Sequence, residues 1–331
     1  MSGEADRPAL PISRRSLIGG AVALAAMAEN GLRAAPTAGQ VPMVDTHIHL
    51  FDPNRPQGAP YRGPLESPTY TEGSFPATYR RVMARYAPVA AFHVDASPWI
   101  EDNLWALQLA ESDPIMVGVI GNFRIESPEF PEIFKRHARN SLFRGIRYGN
   151  LWRYDIVAQS RRPEFIDALK HVVDADLVLE TANPRIDLLR AVVRINDALP
   201  DLRIVIDHLC KLDPAPEEQG VYDRLLREMT ARPNLFVKLS SSLHAGNRSP
   251  AMQDHKARLD LLFDAFGADR VLFASDWPNV EQDGSVHTAV AIVRDYFATR
   301  TVAQRNKFFW GNSIRAYKWA PRTEAQHRLF V

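Results

Sequence analysis

Short, nearly all-apolar runs alternate with amphipathic helical segments from residue 43 onward, eight of each, and polar residues gather where the runs end. These observations predict an α/β fold, a (β/α)8 TIM barrel, as a single catalytic domain behind an N-terminal export signal. Strands are expected at Met43–His47, Val89–Val94, Ile115–Ile120, Gly145–Tyr148, Leu177–Glu180, Ile204–Asp207, Leu235–Leu239 and Val271–Ala274. Runs this apolar suit parallel strands covered on both faces.

Between the strands, apolar residues recur at helical spacing. Examples are Phe165, Leu169, Val172 and Val173; Ile186, Leu189 and Val193; Leu225, Leu226 and Met229; Leu259, Leu262, Phe263 and Phe266; and Val286, Ala289, Val290 and Val293. Turn residues mark the junctions, as in Asp113-Pro114, Arg232-Pro233-Asn234 and Gly267-Ala268-Asp269. An open doubly wound sheet would carry a Gly-rich phosphate loop after its first strand, and none stands there. The one long irregular stretch, Asp52–Pro76, holds six of the 24 prolines. Following strand one, it is expected at the rim of the active-site face.

The 331 residues are 46% apolar and 24% charged, enough for a large core and far from the composition of disordered or multi-span membrane chains. Forty basic against 39 acidic residues give a net charge of +1, which offers nothing to nucleic acid or an anionic membrane. Cys210 is the single cysteine, so neither an intrachain disulfide nor a Cys-based zinc cluster is available. A metal here must be held by histidines and carboxylates.

At the N-terminus, Ser13-Arg14-Arg15-Ser16-Leu17-Ile18 leads into a Gly/Ala-rich run ending Ala26-Met27-Ala28. Residues 1–28 therefore read as a twin-arginine-type signal peptide, 29–42 as a linker and 43–331 as the barrel. The expected partner is the twin-arginine export machinery, and the expected location is the periplasm after cleavage. The apolar run of about 12 residues is short against the roughly 20 a span needs, so no lasting anchor is expected.

In a barrel enzyme, chemistry gathers at the C-terminal ends of the strands. Strand one ends Asp45-Thr46-His47-Ile48-His49, and its period of two turns His47 and His49 to one side. Such a pair can bind a divalent metal or donate hydrogen bonds. Later strand ends supply Arg147 and Tyr148, Glu180, Asp207 and His208, and Ser275-Asp276-Trp277. Asp276 suits a general base or metal ligand, or else a helix cap; His208 and Glu180 face the same choice between site and structure. Arg147 can fork onto a substrate carboxylate or carbonyl, or form a rim salt bridge. His93 and Ser97, Asn122, and Ser240-Ser241 are further candidates for the lining.

Six segments resemble the amidohydrolase superfamily, in its amidohydrolase-2 group of TIM-barrel metal-dependent hydrolases, which includes sugar lactonases and 2-pyrone-4,6-dicarboxylate lactonase. They are Val44–His49, Gly145-Ile146-Arg147, Val205–Leu209, Val237-Lys238-Leu239-Ser240, Arg270–Pro278 and Phe309-Trp310-Gly311-Asn312-Ser313. The resemblance implies His47 and His49 as the first-strand metal pair, Asp276 as the base that activates water, His208 as a substrate or water contact, and Arg147 as a substrate-carboxylate contact. Many relatives place a histidine where this chain has Glu180. With no lysine ending strand four or five, a two-metal carbamate site is not expected. One zinc or manganese on His47, His49, Glu180 and Asp276 suits the residues, and some lactonases of the group use no metal.

The activity expected is opening of a lactone ring by water, with Asp276 and His208 catalytic and with His47 and His49 polarising the carbonyl. Arg147, Tyr148, His93 and Trp277 are the expected substrate contacts. No Gly-x-Ser-x-Gly elbow is present, so covalent serine catalysis is not expected. Two alternatives remain open, a non-oxidative decarboxylase of an aromatic or unsaturated acid and an exported non-catalytic binding protein. Decarboxylase relatives typically keep the strand-five histidine, which Glu180 replaces.

Overall fold

The computed structural model describes residues 41–56, 58 and 67–331. The stretch read as an export signal, most of the linker and the middle of the rim segment lie outside the described residues. Eight strands are present: β1 (Val44–Ile48), β2 (Ala90–Val94), β3 (Met116–Asn122), β4 (Phe143–Arg147), β5 (Val178–Thr181), β6 (Arg203–Ile206), β7 (Leu235–Leu239) and β8 (Val271–Phe273). They form one sheet in sequential order, every neighbouring pair parallel. The ring closes where β1 meets the chain leaving β8. Asp276 N donates to the His47 carbonyl at 3.0 Å, and His49 N to the Trp277 carbonyl at 2.8 Å. All eight strands therefore stand where the apolar runs placed them, with small shifts at their ends.

A helix follows each strand: α1 (Pro76–Val82), α2 (Glu101–Ser112), α3 (Phe130–Ala138), α4 (Pro163–Asp174), α5 (Ile186–Ala198), α6 (Gln219–Thr230), α7 (Gln253–Phe266) and α8 (Val286–Ala298). Of the residues the helical period selected, α4 buries Phe165, Leu169 and Val172 and leaves Val173 half-buried, and α7 buries Leu259, Leu262, Phe263 and Phe266.

Strand alternation separates two cores. Ile146, Leu179, Ile206, Val237, Leu239 and Phe273 point out into the helix layer, whereas Phe92, Val178, Val205, Phe236 and Leu272 fill the barrel. Moving two residues up an inward face exchanges apolar for charged: Val178 to Glu180, Val205 to Asp207, Phe236 to Lys238. The lower half of the interior is thus oily and the upper half polar. Strand β1 keeps step with a register shift between Asp45 and Ile48. Val44 and His47 then both face inward, although simple alternation would oppose them.

The barrel floor comes from the chain beyond α8. A helical turn over Asn312–Tyr317 brings Tyr317 and Trp319 into the interior cluster, the Tyr317 ring 4.5 Å from that of Phe92. Arg322 donates to the carbonyls of Ala110 and Met116, and Gln326 to those of Val89 and Pro114. These carbonyls lie before or at the start of β2 and β3, so the segment seals the lower end. At the upper end, the described parts of the rim are fastened at both sides. Arg55 pairs with Asp102 at 2.6 Å, Ser74 Oγ donates to the His49 carbonyl at 2.5 Å, and the Tyr70 hydroxyl donates to the Pro278 carbonyl at 3.0 Å.

Candidate active site

The His-x-His of β1 converges as its spacing requires: Nε2 of His47 stands 3.2 Å from Nε2 of His49, and both rings are buried. Asp45 fixes the strand beneath them. Its carboxylate accepts from Ser275 N (2.9 Å), His47 N (3.2 Å) and the Tyr79 hydroxyl (2.9 Å), tying β1 to the end of β8. Burial outweighs those hydrogen bonds and raises the Asp45 carboxyl to about 6.

Asp276 meets the pair from the closing strand. Its Oδ1 lies 3.3 Å from His49 Nε2 and 3.7 Å from His47 Nε2, but it is left without a hydrogen bond of good geometry. The other oxygen, Oδ2, accepts from Ser241 Oγ at 2.8 Å and Asn279 Nδ2 at 3.0 Å. Burial alone would raise this carboxyl, but the surrounding His208, His49 and His47 rings hold it well below the usual carboxylate range. His208 leans in from β6, its Nδ1 2.8 Å from Ser240 Oγ and 3.1 Å from Ser241 Oγ. Burial lowers its pKa, against the raising effect of the Asp276 and Asp207 charges. Both His208 and Asp276 take left-handed backbone, φ 56° and 60°. Non-glycine residues seldom adopt that conformation, and it is found where surroundings over-determine a functional geometry.

Glu180 is placed differently from its expected ligand role beside His49 and Asp276. Its Oε2 accepts from Lys238 Nζ at 2.7 Å and its Oε1 from the Tyr317 hydroxyl at 2.5 Å. The reason is its height: Glu180 stands inside the short β5, below the mouth, where Lys238 of β7 reaches it. Lys238 Nζ also stands 3.1 Å from Asp207 Oδ1 and donates to His47 Nδ1 at 3.3 Å. Lys238, Glu180 and Asp207 are all fully buried. Burial and the nearby Asp207 charge raise Glu180 to about 7, with Lys238 and Tyr317 offsetting part of the effect. Asp207 shifts the other way; burial would raise it, but Lys238 and His47 hold it well below the usual range. Burial and the Lys238 charge lower the His47 pKa far below its ordinary value, with the Asp207 carboxylate opposing them.

Arg147 points inward, as its strand position implies. Nε pairs with the Asp95 carboxylate and Nη2 donates to the Asp95 carbonyl at 2.5 Å. Nη1 reaches within 3.5 Å of His47 Nε2 and 3.7 Å of Asp207 Oδ2. Trp152 Nε1 holds the second Asp95 oxygen at 2.7 Å.

Two expected substrate contacts sit elsewhere, and a third is engaged with the rim. Tyr148 follows inward Arg147 and so turns outward, stacking on Tyr154 at 4.7 Å with its hydroxyl on Glu126. Trp277 follows Asp276 and likewise faces the outer core, against Tyr79 and with Nε1 on Glu281. His93 lies close to the site, but its Nδ1 accepts from Leu50 N at 3.0 Å and thereby braces the rim. Cys210 is buried with its thiol pushed up to about 12, which removes it as a nucleophile.

Two trios within the cluster are close enough to surround a cation, His47, His208 and Asp276 at the mouth and His47, Glu180 and Asp207 below it; in each, the ligand atoms lie within 4.8 Å of one another.

The chain matches the Amidohydrolase family model over residues 44–319, which takes in every one of these groups. The chain belongs to the amidohydrolase family. As an amidohydrolase it is 26% identical over 242 residues to an L-fucono-1,5-lactonase of Burkholderia ambifaria, covering 71% of this chain and 80% of that one. Among solved structures it superimposes on an amidohydrolase of Burkholderia multivorans with a TM-score of 0.72 at 22% identity, over 84% of this chain and 100% of that chain. A second crystal form of that protein, with bound zinc, gives 0.69. A 5-carboxyvanillate decarboxylase of Sphingomonas paucimobilis gives 0.60 at 15% identity, over 85% of this chain and 100% of that one. These structures share the amidohydrolase barrel, on which more than one chemistry is built.

Proposed function

We propose that this amidohydrolase opens a small-molecule lactone by direct attack of water, with Asp276 as the general base. The observation that carries the proposal is the asymmetry of that carboxylate: Oδ2 is anchored by Ser241 and Asn279, while the buried Oδ1 is left to receive a proton. Its lowered pKa keeps it ionised at neutral pH. The likeness to an L-fucono-1,5-lactonase supports a lactone of a sugar acid.

The chemistry needs a base for water, donors for the carbonyl oxygen and a proton for the departing alkoxide. Asp276 Oδ1 takes the proton of water as its oxygen adds to the carbonyl carbon. Arg147 Nη1 and the His47 edge, 3.5 Å apart, lie where they can stabilise the oxyanion. The proton held on Asp276 then passes to the ring oxygen as the carbon–oxygen bond breaks, giving the hydroxy acid. His208, braced by the two serines, orients the water.

The spacing of His47, His208 and Asp276 suits a zinc or manganese ion, which when bound would polarise a carbonyl or acidify water. The hydrogen bonding does not suit it. A ligating histidine normally donates its other ring N–H to an acceptor, whereas Nδ1 of His47 has the Lys238 ammonium at 3.3 Å, nearer than the Asp207 carboxylate at 3.6 Å. No step above is therefore routed through a metal.

The test is a pH-indicator screen of aldonolactones on the purified protein, beside Asp276→Asn. Acid release by the wild type and a fall in kcat of about 10²–10⁴-fold in the variant, with an unchanged melting temperature, is the expected result. Carbon dioxide release from an aromatic acid would assign the decarboxylase reading, and an active Asp276→Asn would remove the base. We further propose that residues 1–28 direct export to the periplasm; a mature N-terminus after Ala28 or Ala38 in the periplasmic fraction is expected.

A further inference from the structure

We propose that Lys238 is a built-in cation of this site, filling the position framed by His47 Nδ1, Glu180 Oε2 and Asp207 Oδ1 and so fixing His47 as an Nε2–H donor rather than a metal ligand. An ammonium has three hydrogens and no acceptor. Three acceptor atoms surround this one, at 2.7 Å (Glu180), 3.1 Å (Asp207) and 3.3 Å (His47). The trio His47–Glu180–Asp207 is a cation site by its spacing, and the chain supplies the cation itself.

The consequence runs outward through the rings. Because Nδ1 of His47 accepts from Lys238, a neutral His47 carries its proton on Nε2. That proton faces Nε2 of His49 at 3.2 Å. The Nδ1 of His49 lies 3.0 Å from the Val94 carbonyl, which can only accept, so His49 carries its proton there and offers Nε2 as an acceptor. Lys238, His47, His49 and Val94 then form one directional row of donors. It competes at His47 with the Arg147 Nη1 contact to Nε2 at 3.5 Å and the Asp207 Oδ1 contact to Nδ1 at 3.6 Å, both of which favour the opposite tautomer. A metal on His47 Nε2 would have to displace the proton that Lys238 puts there. Lys238 is in this sense a positioning residue, acting on substrate through His47. The inference deepens the hydrolytic reading of the site, but its tests do not use turnover.

The first test is nitrogen-detected correlation NMR of the histidine rings in the wild-type protein, with His47 assigned by loss of its signals in His47→Gln. The Nε2–H form at His47 is expected, and an Nδ1–H ring overturns the proposal. The second is zinc binding, by calorimetry and by metal analysis after dialysis, on the wild type, Lys238→Met and Lys238→Met/Glu180→Gln. Removing the ammonium is expected to tighten zinc binding at least 100-fold, and the added Glu180→Gln change to reverse most of that gain. Equal zinc affinity in folded wild type and Lys238→Met overturns the proposal. Should the variants fail to fold, the wild-type tautomer decides alone. A lactone screen that finds no substrate would sink the proposed activity and leave both readouts standing.

Discussion

Ser241 Oγ lies 2.8 Å from Asp276 Oδ2 and gives that carboxylate its single hydroxyl proton. With the proton spent there, the same oxygen can only accept from His208, 3.1 Å away, and so one serine fixes both the rotamer of the proposed base and the ring beside it.

Ser241→Ala should therefore lower kcat for the responsive lactone by about 10–100-fold, since a hydrogen bond to a charged group is worth about 1.5–3 kcal/mol. KM should move much less. Steady-state kinetics on the folded variant is the check, and an unaltered kcat would show that Asn279 alone positions Asp276.

Asp95 is the anchor of Arg147, and both are buried. Asp95→Asn removes the nearer of the two carboxylates beside the guanidinium, and breaking a buried pair costs about 3–5 kcal/mol. Urea denaturation should show a loss of that order, with a raised KM in whatever protein remains folded. A loss under 1 kcal/mol would mean that Asp207, 3.7 Å away, takes over the pairing.

The Asp45 carboxyl is raised from 3.8 to about 6 in the folded chain. Between those values the folded state holds a proton that the unfolded state has given up. This contribution to stability is full below pH 3.8 and is lost as pH rises through about 6. Relative to Asp45→Asn, the wild type should gain stability as pH falls from 6 to 4, with a limiting slope of about 1.4 kcal/mol per pH unit. Parallel pH dependences in urea melts of the two proteins would refute the shift.

The barrel was legible because parallel strands buried on both faces must be written in apolar residues, and all eight were. His47, His49, His208 and Asp276 were legible because charged and imidazole groups at the end of an apolar run need a reason to be there. Tyr148 and Trp277 were misread, each for a local backbone reason. Tyr148 follows the inward Arg147 on an extended chain, where neighbours face opposite ways. Trp277 follows Asp276, whose left-handed backbone turns the next side chain to the outer core. Glu180 was seen but its partners were not, because Lys238 arrives from β7 and Tyr317 from the floor, far off in sequence. Lys238 did leave a mark in Leu235-Phe236-Val237-Lys238-Leu239: a lone cation inside an apolar strand demands buried acceptors. The bonds to Asp95 and Ser241 depend on loop paths that no periodicity encodes.

The floor of this barrel also sets an order of events during synthesis. Tyr317 supplies the hydroxyl that Glu180 leans on, and Trp319 shuts the interior from below, yet both are translated after every strand and every numbered helix. A chain that has been made only as far as β8 lacks both the hydroxyl that Glu180 accepts from and the Trp319 ring beneath the interior. The hydrogen bond from Tyr317 to Glu180 can form only once residues 312–317 have been made. The charged cluster is therefore completed last in the order of synthesis, by a stretch of polypeptide that itself contributes nothing to the mouth.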